Sequence, residues 1–245
     1  MDLPTAALRD LQRCGPALFR YVVATLLTLC SHRCISWTIT VWLPEETWPA
    51  LASLATLSTT LYLAVLLSAV QAVYFSHLGA IIDKPLWKYQ GAKNALRRFF
   101  MLWLLINLFL ITLVDIQTRL MAADARDAAL SLEAVILAGH MLALPVGACI
   151  MHLGAFHWHE LGEALRPFSR LFSMMLFPIF VGFIQYTLAN ARILVLTENL
   201  FFNLLFLTVT DIPLVLLEAY IFTLIWRVCM HHRSLPPETE NPFDF

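Results

Sequence analysis

The sequence predicts an all-α, polytopic integral membrane protein: six transmembrane helices in one bundle, with both ends in the cytoplasm. Three observations carry that expectation. Sixty per cent of the 245 residues are hydrophobic and 13% are charged, against about half and about a quarter in soluble domains, and mean hydropathy is +0.73. Six stretches reach the roughly 20 apolar residues that cross about 30 Å of hydrocarbon. Lys and Arg gather on alternate loops. With the first loop outside, the inner segments hold Arg9, Arg13, Arg20, Lys84, Lys88, Lys93, Arg97, Arg98, Arg166, Arg170, Arg227 and Arg233, and the outer segments hold only Arg119, Arg126 and Arg192. Positive loops stay in the cytoplasm. A water-soluble enzyme, a disordered chain and a disulfide scaffold are excluded by the same composition. The net charge of −1 implies no bulk attraction to nucleic acid.

The first span covers about 17–43, bracketed by Gly15-Pro16 and Pro44-Glu45-Glu46 and interrupted by Ser31-His32-Arg33. The second, about 50–82, is too long for an upright helix, so it tilts or lays its Phe75–Ile82 end along the interface. The third covers about 97–119 and the fourth about 128–154. In the fourth, Gly139, Ala143 and Gly147 form a stripe of small residues, extended by Gly154, that suits close helix packing. The fifth and sixth cover about 168–189 and about 199–227. Pro145, Pro178 and Pro213 fall inside the last three spans, and Pro213 is expected to free a carbonyl one turn back. Helices are expected because lipid offers no partner to backbone polar groups, and the runs lack barrel alternation. Residues 1–234 therefore form one transmembrane domain, and the proline- and acid-rich 235–245 forms a disordered cytoplasmic tail. No small-residue cleavage site follows a short apolar run, so no removed signal peptide is expected.

Polar residues within the spans are the candidate site. Counted from the outer helix ends, His32 and Arg33 lie about 15–17 Å deep, and Asn107, His140 and Asp211 about 18 Å deep. An ionised group at that depth costs about 2.5–3.5 kcal/mol facing lipid, so these side chains should turn inward and meet. Arg33 is expected to pair with Asp211, with His32, His140 and Asn107 as hydrogen-bond partners. Glu218 follows Asp211 by seven residues on the same helix face, with Gln71 as its expected neighbour. A carboxyl that loads and releases a proton beside histidines is what a proton-coupled carrier needs.

The first functional expectation is a small multi-pass transporter or channel-like protein, proton- or cation-coupled, binding its ion or substrate through Arg33, Asp211, His140, His32, Asn107 and Glu218. The second is a non-catalytic structural or assembly subunit, in which the same groups hold helices together. The third is a haem-bearing electron-transfer subunit, because His32 with His140 and His77 with His152 fall at two depths. Otherwise no cofactor is expected. His157, His159 and Glu160, near His152, read as an interfacial turn rather than a metal set. Five cysteines without a CxxC argue against disulfides and zinc. Nucleophile-elbow, P-loop and dinucleotide motifs are all missing, so catalysis is not expected. Expected partners are the lipid bilayer, other membrane proteins or a second copy, and no nucleic acid. The expected location is the cell membrane, plasma or bacterial inner.

Two further patterns stand out. Asn107–Ile116 and Asn203–Ile212 share Asn, Leu, Thr, Asp and Ile at the same spacing, which in oppositely directed helices would mark an inverted repeat. Asn241-Pro242-Phe243 resembles the Asn-Pro-Phe peptides bound by eukaryotic endocytic EH domains, which implies a sorting signal.

Overall fold

A computed structural model describes residues 2–44, 47–83, 91–154 and 161–235, and every regular element among them is helical. In order these are α1 (Leu3–Arg13), α2 (Gly15–Trp42), α3 (Pro49–Ile82), α4 (Ala92–Ala122), α5 (Arg126–Leu153), α6 (Leu161–Ala164), α7 (Arg166–Arg170), α8 (Phe172–Ala191), a 3-10 turn (Arg192–Val195) and α9 (Leu200–Ser234). Six are long and apolar enough to cross a membrane: α2, α3, α4, α5, α8 with its 3-10 extension, and α9. Each matches an expected span. Glu45, Glu46, Lys84, Lys88, His157, His159, Glu160 and the Asn241-Pro242-Phe243 tripeptide lie outside the described residues.

The helices close into a ring. Each of α2, α3, α4, α5, α8 and α9 packs on the next, and α9 returns to α2. Helix α9 also touches α1, α3 and α5, so it is the hub. Arg98 of α4 donates to the Gly154 carbonyl that ends α5, at 3.1 Å. Arg233 near the end of α9 reaches Asp83 at the end of α3. The starts of α2 and α4 and the ends of α3, α5 and α9 thus share the end of the bundle where α1 lies.

Helix α1 was not expected. Its Ala6, Ala7, Asp10 and Leu11 are buried and form one face, packed on α9. Helix α5 stops at Gly154, whose φ of 87° needs no Cβ to be relieved. Asn199 caps α9, its side chain accepting from the Phe202 N–H at 3.1 Å.

Most of the buried core belongs to the α1 end. In α2 the buried residues are Ala17, Tyr21, Thr25 and Thr28, all in its first half. In α4 they are Ala95, Phe99, Leu102, Trp103 and Asn107, and in α9 none precedes Asp211. Phe75 stacks on Phe222 with centroids 4.4 Å apart, edge-on to Trp103. The Phe75–Ile82 end of α3, expected along the interface if the helix did not tilt, is the most buried part of that helix. Small residues allow it, because the Gly79 backbone sits against Trp226, where an added Cβ would come to 2.6 Å of the indole. Gly147 makes the same approach to Trp103 of α4, and Gly139 to Leu110, as the small-residue stripe predicts. The far ends of the helices carry large exposed apolar side chains such as Trp42, Leu57, Phe109, Phe201 and Leu194, the surface that lipid would cover.

Candidate polar site in the helix bundle

The intrahelical polar residues form two layers along α9, not one. The first centres on Asp211, buried on the ring side of α9. Arg33 of α2 donates to its Oδ2 at 2.6 Å. Arg192 donates to its Oδ1 at 2.5 Å and to Thr210 Oγ1 at 3.3 Å, while its Nε is bound to the Ala189 carbonyl at 3.2 Å. One carboxylate therefore bridges two guanidiniums. The Arg33–Asp211 pair follows from the cost of a lone charge in lipid. Arg192 was expected in an outer loop. It reaches Asp211 because α9 overhangs α8: Leu200 to Asp211 is about 16 Å of helix at 1.5 Å per residue. The chain beyond Arg192 continues alongside that overhang toward the start of α9, where Thr197 bonds Asn203.

The second layer centres on Glu218, about 10 Å further along α9. Gln71 of α3 donates from Nε2 to Glu218 Oε1 at 2.8 Å, the expected neighbour. Asn107 of α4 donates to Gln71 Oε1 at 2.7 Å and to Ser68 Oγ at 3.0 Å. Ser68 in turn donates to the Ala64 carbonyl at 2.5 Å. Asn107 thus belongs beside Glu218 and not beside Asp211. Depths counted from helix ends assume that all helices start level, and they do not. The fully buried Tyr21 hydroxyl of α2 lies beside the Glu218 carboxyl and the Thr25 hydroxyl. No cation pairs with Glu218 among the described residues.

The two mid-helix histidines join neither layer. His140 Nδ1 lies 3.1 Å from the Ile136 carbonyl of its own helix, and its ring leans on Tyr186 of α8 at 5.2 Å. His32 Nε2 lies 3.4 Å from Ser36 Oγ, one turn away in α2. Their expected bonds to Arg33 and Asp211 are not made, because one residue of separation turns His32 about 100° from Arg33. His152 has both ring nitrogens within 3.3 Å of Arg233 Nη2 and meets Trp226 edge-on, while His77 is exposed. Among the described residues no three of His, Cys, Asp and Glu converge as a metal site would require. Beside Pro213, Gln185 Nε2 of α8 donates to the Leu214 carbonyl at 2.9 Å.

The residues of the suspected repeat do different work. Asn203 bonds the Thr197 backbone at the start of α9, whereas Asn107 lies in the core. Asp115 makes an exposed pair with Arg119 one turn on, whereas Asp211 is buried.

At the α1 end, α9 is tied by two more ion pairs. Arg227 grips both oxygens of Asp10, with Nη2 to Oδ1 at 2.7 Å and Nε to Oδ2. Arg233 donates to Asp83 Oδ2 at 3.1 Å. Asp10, Asp83 and Asp211 are all buried, and each arginine keeps an exposed edge. Glu218 therefore lies between ion pairs at two levels of one helix. Comparison of the chain with protein-family models, with curated proteins and with solved structures finds no match, so the reading of this site rests on its own geometry.

Proposed function

We propose that this chain is a small proton-linked membrane carrier, and that Glu218 is the group that takes up and releases the proton. The α1 end faces the cytoplasm, where its Lys and Arg would hold it, and the bilayer is that of the cell. One observation carries this reading: a carboxyl with no cation among the described residues sits mid-helix, held by the Gln71 amide beside the buried Tyr21 hydroxyl, between ion pairs at Asp211 and at Asp10 and Asp83. Glue would be cheaper without a carboxyl, since an amide at the same place makes the same bonds with no charge to neutralise. The ion pairs suit a carrier. Each joins α9 to another segment of the chain, and each can open when the helices rock, giving access from one side at a time.

The test is a pH jump on proteoliposomes adsorbed to a solid support. Wild type should give a transient charge displacement, and Glu218→Gln should abolish it while eluting as a folded protein. An equal current from the variant overturns the reading. A structural subunit is the second reading. It is favoured by the Asn107–Gln71–Glu218 chain, which ties α4, α3 and α9 together, and it predicts that neither protein gives a current.

A further inference from the structure

We propose that the Arg33–Asp211–Arg192 cluster is a binding site for an oxyanion, a carboxylate or phosphate group that joins Asp211 between the two guanidiniums. As the substrate class of the carrier it rests on the function proposed above; as a binding site it does not.

The argument is one of charge and of donors. Two guanidiniums, which stay charged in proteins, share one carboxylate, so among the described residues the cluster holds one positive charge too many. A neutral ion pair would need one arginine. The surplus is unfavourable in a bilayer unless an anion completes it. The donors agree. Each guanidinium has five N–H groups. Arg33 uses Nη1 on Asp211, and its Nε and Nη2 have no partner among the described residues. Arg192 uses Nε and Nη1, and its Nη2 has none. Asp211 gives one oxygen to each arginine rather than both to one, so neither fork is filled. The side chains of Arg33 and Arg192 are 21% and 18% exposed, against 3% for Asp211. The acid is sealed, and both guanidiniums keep part of their surface exposed. An oxyanion that offers two oxygens, as a carboxylate or a phosphate does, matches an open guanidinium fork, whereas a halide does not. Asp211 then acts as the resident competitor: it holds the arginines when the site is empty and yields part of its hold when the ligand arrives. Balanced against the surplus charge, a bound monoanion leaves the layer neutral, and a proton on Glu218 can accompany it.

The experiment is thermal unfolding of the full chain in phosphatidylcholine nanodiscs, with sodium phosphate or sodium acetate against sodium chloride at fixed ionic strength. The oxyanions should raise the midpoint by about 3–6 °C at ten times the dissociation constant. Asp211→Asn, which removes the competitor, should reach the same shift at a several-fold lower concentration. A protein that survives purification only with oxyanion present supports the site equally. If Asp211→Asn is not recovered at all, Arg33→Lys replaces it; that variant keeps the charge, loses the fork, and should need several-fold more anion. A second arm replaces part of the phosphatidylcholine with phosphatidylglycerol. Stabilisation there but not by free anions assigns the site to a lipid phosphodiester. No shift in either arm, or an unchanged shift in Arg33→Lys, overturns the proposal. The shift should persist in Glu218→Gln, so a failed anion site and a failed proton site give different results.

Discussion

At the scale of single residues, the Glu218 layer is organised by the direction of one amide. Asn107 offers only N–H groups to Gln71 and Ser68, so the Gln71 oxygen must face Asn107 and its nitrogen must face Glu218. That orientation suits a carboxylate acceptor. Asn107→Leu removes the constraint and two hydrogen bonds. At about 0.6 kcal/mol per interhelical bond in a membrane, it should lower stability by about 1–2 kcal/mol in a denaturation series, with the pH-jump current slowed rather than lost. A second residue prediction concerns Cys14, at the junction of α1 and α2. Burial, and then the neighbouring Asp10 charge, push its thiol from 9.0 up to about 11. The folded state keeps the proton where the unfolded chain has lost it. The stability this group contributes is thus complete below pH 9 and drains away as pH rises toward about 11. The melting midpoint should fall across that window, and Cys14→Ala should flatten the fall. At this scale the sequence was partly legible. Arg33 with Asp211 and Gln71 with Glu218 follow from charge cost and helical spacing. Arg192 does not, because its position near a span end says nothing of which way the following chain turns. Asn107 falls in the Glu218 layer, because depth counted from a helix end holds only for helices that start level.

At the scale of elements, close approach decides what the helices tolerate. Adding a methyl at Gly79 or Gly147 drives a Cβ to 2.6 Å of an indole that is itself fully buried, so the ring cannot swing away. Gly79→Ala and Gly147→Ala should each cost about 1–3 kcal/mol by overpacking. Gly15→Ala and Gly162→Ala meet nothing within 4 Å and serve as controls near zero. Both effects can be read from thermal midpoints of the purified variants. The six long helices were legible because length and hydropathy are properties of continuous runs, and their ends match to within a few residues except where α4 begins early and α9 continues to Ser234. Helix α1 is missed by a hydropathy scan, although its pattern of Leu3, Ala6, Ala7, Asp10 and Leu11 has helical spacing. It is too short and too polar to span, and its amphipathic face only gains meaning once α9 is there to receive it. Asp10→Asn should detach it in part. The carboxylate is buried but Arg227 keeps access to water, so the loss should be about 1–2 kcal/mol, below that of a sealed pair.

At the scale of the whole molecule, packing is uneven along the bundle axis, and this links the two polar layers to a motion. The α1 end is filled by Tyr21, Phe75, Phe99, Trp103, Phe222 and Trp226 and clasped by Asp10–Arg227 and Asp83–Arg233. The opposite end has few buried side chains and is joined at Asp211 alone among these clasps. A bundle tight at one end and loose at the other has one low-cost motion, a rocking of α9 and its neighbours about the filled core. The loose end should therefore show a broad distance distribution and the tight end a narrow one. Spin labels at Leu57 and Phe201, both exposed and on α3 and α9, report the loose end. Labels at Ile81 and His231 report the other end of the same two helices. Double electron–electron resonance should give a wide first distribution that narrows when phosphate is added, and a narrow second one. Asp83→Asn combined with Arg233→Gln removes the α3 clasp and should broaden the second distribution, because that pair ties α9 to α3 at this end. Two narrow distributions indifferent to both changes would describe a static bundle, and the polar layers would then be structural.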